Sequence, residues 1–171
     1  HGQTYFDCGT AYPCATAIAC TWNDELAFEM GKSAGIEADA MDTDIWYAPG
    51  ANIHRNPMGG RNFEYFSEDP ITTGKIASAV VAGVQSSGVS ACPKHFACNN
   101  QELRRMSIDS VVDERTLREI YLTNFEIAVK ESECGAIMTS YNPVNSYWSA
   151  SNYDLTTTIL RGEGGYKGLV M

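Results

Sequence analysis

The stretch DERTLREIYLTNFEIAVKESECGAIMTSY, residues 113–141, contains the two patterns that decide the fold class. In its first part, apolar side chains such as Leu117, Phe125 and Val129 recur at the spacing that places them on one face of a helix. Its last seven residues, GAIMTSY, are too few for a helix and do not alternate with polar residues, which indicates a strand buried on both faces. A helix followed by a buried strand is therefore predicted here.

The same alternation continues along the rest of the chain. One helix is predicted from about Trp22, and another from Asp69-Pro70 to Gly88, because an N-cap followed by proline is a helix start. Asp113 is the equivalent N-cap of the helix described above. The other apolar runs, interpreted as buried strands, are DIWYAPG (44–50), VSACPKHF (89–96) and GLVM (168–171), and a last short helix is YDLTTTILRG (153–162). Helices alternating with buried strands are typical of a parallel α/β fold.

Two parallel architectures fit this pattern, a doubly wound sheet and a (β/α)8 barrel. Four strands cannot close a barrel of eight, and such a barrel typically needs about 250 residues. The chain has 171 residues and starts at His1. We therefore expect it to be part of a larger domain, with further chain on both sides.

Composition and charge exclude several classes of partner. The 21 acidic residues outnumber the 12 Lys and Arg, giving a net charge of −9, which disfavours nucleic acid and anionic membrane surfaces. No run of 18 apolar residues is present, so no membrane span is expected. Nothing in the sequence indicates a cofactor.

The six cysteines, at positions 8, 14, 20, 92, 98 and 134, are interpreted as scattered buried thiols. They show no C-x-x-C spacing and no Cys/His cluster of the kind that binds zinc, so no metal site is predicted. The absence of an Asn-x-Ser/Thr sequon agrees with a reducing compartment. These observations slightly favour a cytoplasmic location.

Polar side chains end several of the predicted strands, where parallel α/β proteins bind their ligands. Lys94 and His95 end one strand, Ser140 and Tyr141 end another, and the strand at 44–50 leads into a long loop that contains Arg61. Simpler interpretations remain open at this point. Lys94 could lie at a solvated strand end, Arg61 could only pin its loop through an ion pair, and Tyr141 could be a rim aromatic.

Three carboxylates in the loop RNPMGGRNFEYFSEDP (55–70) are poor candidates for catalysis. If the segment is helical, Glu64 and Glu68 lie on one face with Cβ atoms about 5–6 Å apart. An acid and a nucleophile must flank the reacting bond from opposite sides, which neighbours on one helical face do not. Asp69 is better explained as an N-cap. We expect these acids to form caps and ion pairs.

Several long motifs in this order resemble the N-terminal barrel domain of glycoside hydrolase family 3, and its β-glucosidase branch in particular. They are APGANIHRNPMGGRNFEYFSEDP, CPKHFACNNQELRR, ERTLREIYLTNFEIAVKE, IMTSYNPVN and LRGEGGYKGLVM. The resemblance covers nearly the whole chain. It implies an α/β fold, namely an incomplete (β/α)8 barrel with parallel strands alternating with helices, spanning residues 1–171.

The resemblance also implies which residues bind substrate. The arginine of GGR, the Lys-His pair and the arginine after NNQE would hydrogen-bond the hydroxyls of a sugar, and the tyrosine of SYN would lie beside its ring. In this sequence they are Arg61, Lys94, His95, Arg105 and Tyr141. Charged donors form strong, directional hydrogen bonds with neutral hydroxyls.

Both catalytic carboxylates are expected outside this chain. The family is retaining, and its aspartate nucleophile would be the second residue after Met171. The acid/base glutamate would come from a later α/β sandwich domain, and a further sugar-binding aspartate would precede His1. The full-length protein is therefore expected to be an exo-acting β-glucosidase that cleaves terminal β-D-glucosyl residues of a β-glucoside or oligosaccharide, and the fragment alone is expected to be inactive.

Departures from the family pattern leave alternatives open. Ser146 replaces the usual glycine after VN, and KHFACNNQE replaces the KHFPGHG of the N-acetylglucosaminidase branch, which argues against that branch. A β-xylosidase or another β-glycosidase of the family fits, as does a non-catalytic carbohydrate-binding module on this fold. A nucleotide-binding domain fits poorly, because RGEGGYKG follows a helix rather than a strand. The oligomeric state is not indicated.

Overall fold

The computed structural model describes residues 9–171, so Cys8 lies outside the described residues. Its helices are α1 (Ala15–Ala19), α2 (Asp24–Ala40), α3 (Pro70–Gln85), α4 (Glu114–Thr116) and α5 (Thr123–Ser132). Its strands are β1 (Ile45–Trp46), β2 (Ser90–Ala91), β3 (Lys94–Phe96), β4 (Ala136–Thr139), β5 (Pro143–Val144), β6 (Tyr147–Trp148) and β7 (Leu169–Val170). The chain also forms 3-10 turns at Asn62–Glu64 and Ser149–Ser151, and π-helical segments at Leu117–Leu122 and Asp154–Glu163. None of these described helices is long and apolar enough to cross a membrane.

The strands whose carboxyl ends form the predicted ligand-binding edge are parallel. β1 pairs with β2, β3 pairs with β4, and β4 pairs with β7, all in parallel. A parallel bridge between Gly50 and Lys94 joins the end of the β1 segment to β3. The predicted α/β organisation of helices and parallel strands is therefore confirmed. The antiparallel hairpin of β5 and β6, which follows β4, was not predicted.

The prediction that the strands are buried on both faces is confirmed for β3 and β4 and is wrong for β7. All three residues of β3 are buried, as are three of the four in β4. Leu169 in β7 is 48% exposed. β7 pairs with β4 on one side only, and no other strand of residues 9–171 covers its second side.

Two predicted N-caps are confirmed by their hydrogen bonds. The Asp69 side chain accepts from the Thr72 amide at 2.6 Å at the start of α3. The Asp113 side chain accepts from the Thr116 amide at 3.0 Å at the start of α4. α2 begins at Asp24 rather than near Trp22 because Asn23 is its cap.

The helix predicted over 113–132 is present but is not a uniform α-helix. Its middle, Leu117–Leu122, is π-helical, and the Thr123 hydroxyl donates to the Arg118 carbonyl five residues earlier at 2.8 Å. The predicted helix at 153–162 is π-helical over Asp154–Glu163. The spacing of apolar residues shows that a segment is helical. It does not distinguish an α-helix, with hydrogen bonds between residues i and i+4, from a π-helix, with hydrogen bonds between i and i+5.

Two glycines allow α2 and α3 to pack closely. A Cβ atom added to Gly35 in α2 would lie 2.6 Å from the Val84 carbonyl oxygen in α3. A Cβ atom on Gly83 in α3 would overlap the Phe28 carbonyl in α2. Both positions therefore require glycine, and α2 and α3 pack directly against each other.

The cysteines form no disulfide within residues 9–171, where all five are free thiols. Cys92, Cys98 and Cys134 are buried, as predicted. Cys14 and Cys20 are exposed, so the interpretation as buried thiols does not hold for them.

Candidate functional site

The predicted site residues come from separate segments that meet at the carboxyl edge of the parallel strands. Lys94 and His95 lie in β3, Tyr141 follows β4, and Arg61 and Arg105 lie in the loops after β1 and β3. Lys94 and His95 are only 5% and 4% exposed. The interpretation of Lys94 as a solvated strand end is therefore wrong.

Glu64 forms the ionic centre of this site. It accepts a hydrogen bond from the Arg61 guanidinium, and its other carboxylate oxygen lies 3.5 Å from the ammonium nitrogen of Lys94. The Glu64 side chain is 2% exposed and the Lys94 side chain 6%. One buried carboxylate thus contacts two cations, one in the loop after β1 and one in β3, and it fixes their relative position.

The two cations respond differently to this environment. Burial lowers the pKa of Lys94, and the charge of Arg61 lowers it further. The charge of Glu64 raises it again but does not compensate fully, so the pKa of Lys94 is lowered overall. Burial also opposes the charge of Arg61, but the hydrogen bond and charge of Glu64 outweigh it and raise the Arg61 pKa. The site therefore favours the charge of Arg61 and opposes that of Lys94.

His95 is held by polar groups on its Nδ1 side. Its backbone amide donates to the Asn52 side-chain oxygen at 2.7 Å, and the Asn52 side-chain amide donates to the His95 carbonyl at 2.9 Å. Nδ1 lies 3.2 Å from the same Asn52 oxygen and 3.3 Å from the Tyr65 hydroxyl. The ring is thus fixed in place by Asn52 and Tyr65, neither of which the sequence singled out.

His95 is neutral in this site. Burial, together with the charges of Arg61 and Lys94, lowers the pKa of His95 to about 3; Glu64 opposes this and Arg105 adds to it. A buried imidazole beside several cations does not keep a proton on both nitrogens, so His95 offers one N–H donor and one acceptor.

Arg105 and Tyr141 form the more exposed part of the site. The Arg105 guanidinium stacks over the Tyr141 ring, 5.1 Å from its centroid, and donates to the Glu102 carboxylate at 2.8 Å. Tyr141 is 44% exposed. Glu102 also accepts from the Asn99 side chain at 3.1 Å, which connects this part of the site to the Tyr65 hydroxyl, 3.0 Å from the same amide nitrogen.

Two of the three loop acids act as the sequence predicted, Glu64 as an ion-pair partner and Asp69 as a cap, although the local geometry differs. Glu64 ends a single 3-10 turn, and Tyr65 is extended, so Glu64 and Glu68 do not share a helical face. Glu68 is exposed and Asp69 caps α3. The expected ion pair of Arg61 is present, with Glu64 as the partner, and it does not exclude a ligand-binding role for Arg61.

The arrangement is suited to holding a neutral, hydroxyl-rich ligand. Arg61, Lys94 and Arg105 supply donors, whereas Glu64 and Glu102, the two carboxylates in contact with them, are engaged in ion pairs. Ion pairing lowers the pKa of a carboxylate and makes it a weaker base. Within residues 9–171, no three His, Cys, Asp or Glu side chains lie close enough together to hold a metal ion.

The structure is that of an α/β protein with parallel strands, and a cluster of cationic side chains at the carboxyl edge of these strands is its candidate ligand site. A sequence profile described as the glycosyl hydrolase family 3 N terminal domain matches residues 1–171. The chain belongs to glycoside hydrolase family 3.

Known relatives cover nearly all of this chain. Over 162 residues it is 51% identical to beta-glucosidase A of Butyrivibrio fibrisolvens and 48% identical to thermostable beta-glucosidase B of Acetivibrio thermocellus, covering 95% of this chain in each case. The structure of beta-glucosidase 3B from Thermotoga neapolitana in complex with glucose superimposes with a TM-score of 0.94, at 52% identity and over 95% of this chain. The chain spans about a fifth of these proteins, covering 20%, 22% and 23% of them respectively.

Proposed function

We propose that residues 1–171 form part of the N-terminal (β/α)8 barrel of an exo-acting, retaining β-glucosidase. The observation that carries the proposal is the buried cluster of Arg61, Glu64 and Lys94 beside a neutral His95, at the carboxyl edge of parallel strands. In barrels of this type, ligands bind at that edge. The similarity to several proteins named beta-glucosidases supports a β-glucoside as substrate.

In this proposal, five residues bind the terminal sugar. Arg61 and Lys94 donate to hydroxyls that can accept, and the shared Glu64 holds the two donors at a fixed separation. Arg105 and Tyr141, stacked on each other, border the sugar from the open side. His95 contacts a hydroxyl through its remaining ring nitrogen. Hydrogen bonds to ring hydroxyls that strengthen in the transition state contribute several kcal/mol in this reaction class.

The chemistry would be a double displacement by two carboxylates outside residues 1–171. A nucleophilic aspartate attacks the anomeric carbon while an acid protonates the leaving oxygen, and water then cleaves the glycosyl-enzyme. The Met171 carbonyl accepts from the Thr139 amide at 2.8 Å, so residues that follow Met171 would emerge beside the end of β4, near Tyr141. This placement supports the predicted nucleophile two residues after Met171, and a later domain would supply the acid/base.

The test is hydrolysis of 4-nitrophenyl β-D-glucoside by the full-length protein, with Lys94→Met compared with Lys75→Met. Lys94 lies in the site, whereas Lys75 forms an exposed ion pair with Glu131. We expect Lys94→Met to lower kcat/KM by about 100-fold or more, since misplacing a sugar by 1 Å already costs that much. Equal activity of both variants would contradict the proposal.

Two further measurements separate the alternatives. Comparison of β-glucoside with β-xyloside distinguishes a β-glucosidase from a β-xylosidase, and binding of glucose without turnover by the full-length protein would favour the non-catalytic module. The anomer formed first, read by NMR, should be β if the reaction proceeds with retention. Residues 1–171 expressed alone should give no turnover, because both catalytic carboxylates are assigned to other parts of the protein.

A further inference from the structure

The orientation of the Asn52 side chain is determined by backbone groups. The His95 amide nitrogen can only donate and the His95 carbonyl oxygen can only accept. Because Asn52 contacts both, at 2.7 Å and 2.9 Å, its side-chain oxygen must face the amide and its nitrogen must face the carbonyl. A flipped amide would place donor against donor and acceptor against acceptor.

This orientation determines which nitrogen of His95 carries the proton. The Asn52 oxygen, which cannot donate, lies 3.2 Å from Nδ1. An unprotonated Nδ1 would place two lone pairs against each other in a buried site. The Tyr65 hydroxyl, 3.3 Å from Nδ1, accepts from the Asn99 side chain and can donate to the Asn99 carbonyl at 3.4 Å, so its own proton has another acceptor. Nδ1 therefore carries the proton of the neutral ring.

The other ring nitrogen is then an acceptor with no hydrogen-bond partner among residues 9–171. His95 is 4% exposed, and each of its side-chain hydrogen bonds within the described chain involves Nδ1. Nε2 is not one of the buried side-chain atoms that lack a partner in residues 9–171, so it borders accessible space although the residue as a whole is buried. A ligand hydroxyl in that space can donate to it.

We propose that Asn52 is a positioning residue that holds His95 as the neutral Nδ1–H tautomer, so that Nε2 accepts a hydrogen bond from one hydroxyl of the bound sugar. The proposal rests on the sugar-binding role proposed above. Arg61 and Lys94 can only donate, so the site would combine donors with one fixed acceptor. A hydroxyl that reaches both Lys94 and His95 accepts from one and donates to the other, which a methyl ether cannot do.

Replacing Asn52 by Asp tests this, because it keeps the shape and the oxygen that faces Nδ1 while adding a negative charge beside the ring. It also replaces the amide nitrogen that donates to the His95 carbonyl by an oxygen, so the pH profile rather than the level of activity is the decisive readout. A carboxylate at this position stabilises the imidazolium and therefore raises the His95 pKa. The charge of Glu64 acts in the same direction, whereas the charges of Arg61, Lys94 and Arg105 oppose it. Protonation of Nε2 converts the acceptor into a donor. In the full-length protein, kcat/KM for an aryl β-glucoside should then fall about tenfold or more on the acid side of a new pKa and recover above it.

The matched control is Asn56→Asp. Asn56 lies in the same loop and is exposed, and its side-chain oxygen accepts from the Met58 amide, a hydrogen bond that Asp can also make. This variant should keep the wild-type pH profile. If Asn52 had only a structural role, Asn52→Asp would lower activity at every pH without adding a pKa to the pH profile. Either that result or a wild-type pH profile of Asn52→Asp would overturn the proposal.

A second measurement does not depend on activity or on the variant. Neutron diffraction from crystals of the full-length wild-type protein in D2O shows which nitrogen of His95 carries deuterium. Deuterium on Nδ1 alone supports the proposal, and deuterium on Nε2 overturns it. If the wild-type protein hydrolyses no β-glycoside, the proposed function fails, while the neutron result still decides the tautomer.

Discussion

Replacing Glu64 by Gln removes the one carboxylate that contacts both buried cations while keeping the size of the side chain. The Glu64, Lys94 and Arg61 side chains are 2%, 6% and 22% exposed, so solvent compensates little for the lost charge. Removing one partner of a buried pair costs about 3–5 kcal/mol. Gln still accepts hydrogen bonds and the Lys94 contact is long, so we expect a loss near the lower end, about 3 kcal/mol.

The loss should depend on pH through Lys94. Its pKa in the folded protein is already lowered by burial, and without Glu64 it falls further. Between the folded and the unfolded pKa of a lysine, the unfolded chain binds more protons, so the free energy of unfolding rises with pH. In the variant this rise begins at lower pH. The difference from the wild type should therefore be largest below the lowered pKa values of Lys94 and shrink as the pH rises through them.

Urea unfolding of the full-length protein at several pH values measures both effects, with Glu131→Gln as control. Glu131 pairs with Lys75 at 2.6 Å, but these side chains are 43% and 48% exposed, and such pairs contribute less than about 1 kcal/mol. Equal losses in the two variants would refute the assignment of Glu64 as the buried counter-ion. A pH-independent difference would refute the role of Lys94.

Three further predictions concern the helices and the open side of the site. Asp69→Ala should lower the free energy of unfolding by about 1 kcal/mol near pH 7. The Thr72 amide lowers the pKa of Asp69, so the contribution of Asp69 is lost as the pH falls through that pKa. Urea unfolding of both proteins at neutral and acid pH tests this. Gly35→Ala places a methyl group against the Val84 carbonyl and should cost about 1–3 kcal/mol, seen as a lower Tm; an unchanged Tm would contradict the close contact of α2 and α3. Arg105→Lys keeps the charge but loses the planar stacking on Tyr141, so kcat/KM for an aryl β-glucoside should fall about tenfold, and wild-type kinetics would contradict a role for the stack.

Local patterns in the sequence predicted the elements of the fold. Asp69 before Pro70 indicated the start of α3, because capping depends on a few adjacent residues. The apolar period at 113–132 indicated a helix, but it does not distinguish the π-helical middle, where the Thr123 hydroxyl donates to the Arg118 carbonyl, from an α-helix. The exposure of Leu169 depends on what lies beside β7, and a single strand's composition does not report it.

The site was partly predictable for a similar reason. Polar residues at the strand ends and in the loop after 44–50 identified Lys94, His95, Tyr141 and Arg61. The family resemblance, confirmed by the comparisons, added Arg105. Asn52 and Tyr65 were not identified, because their contacts with His95 join positions 43 and 30 residues apart. The only sequence signal for Asn52 is its place in the polar segment directly after the first predicted strand.

The central claim is that Arg61, Lys94 and His95 hold the terminal sugar of a β-glucoside. A crystal structure of the full-length protein with bound glucose tests it most directly. We expect hydroxyls of one glucose within about 3.2 Å of the Arg61 guanidinium, the Lys94 ammonium and Nε2 of His95. Glucose bound elsewhere, with these three side chains in contact only with protein and water, would contradict the claim.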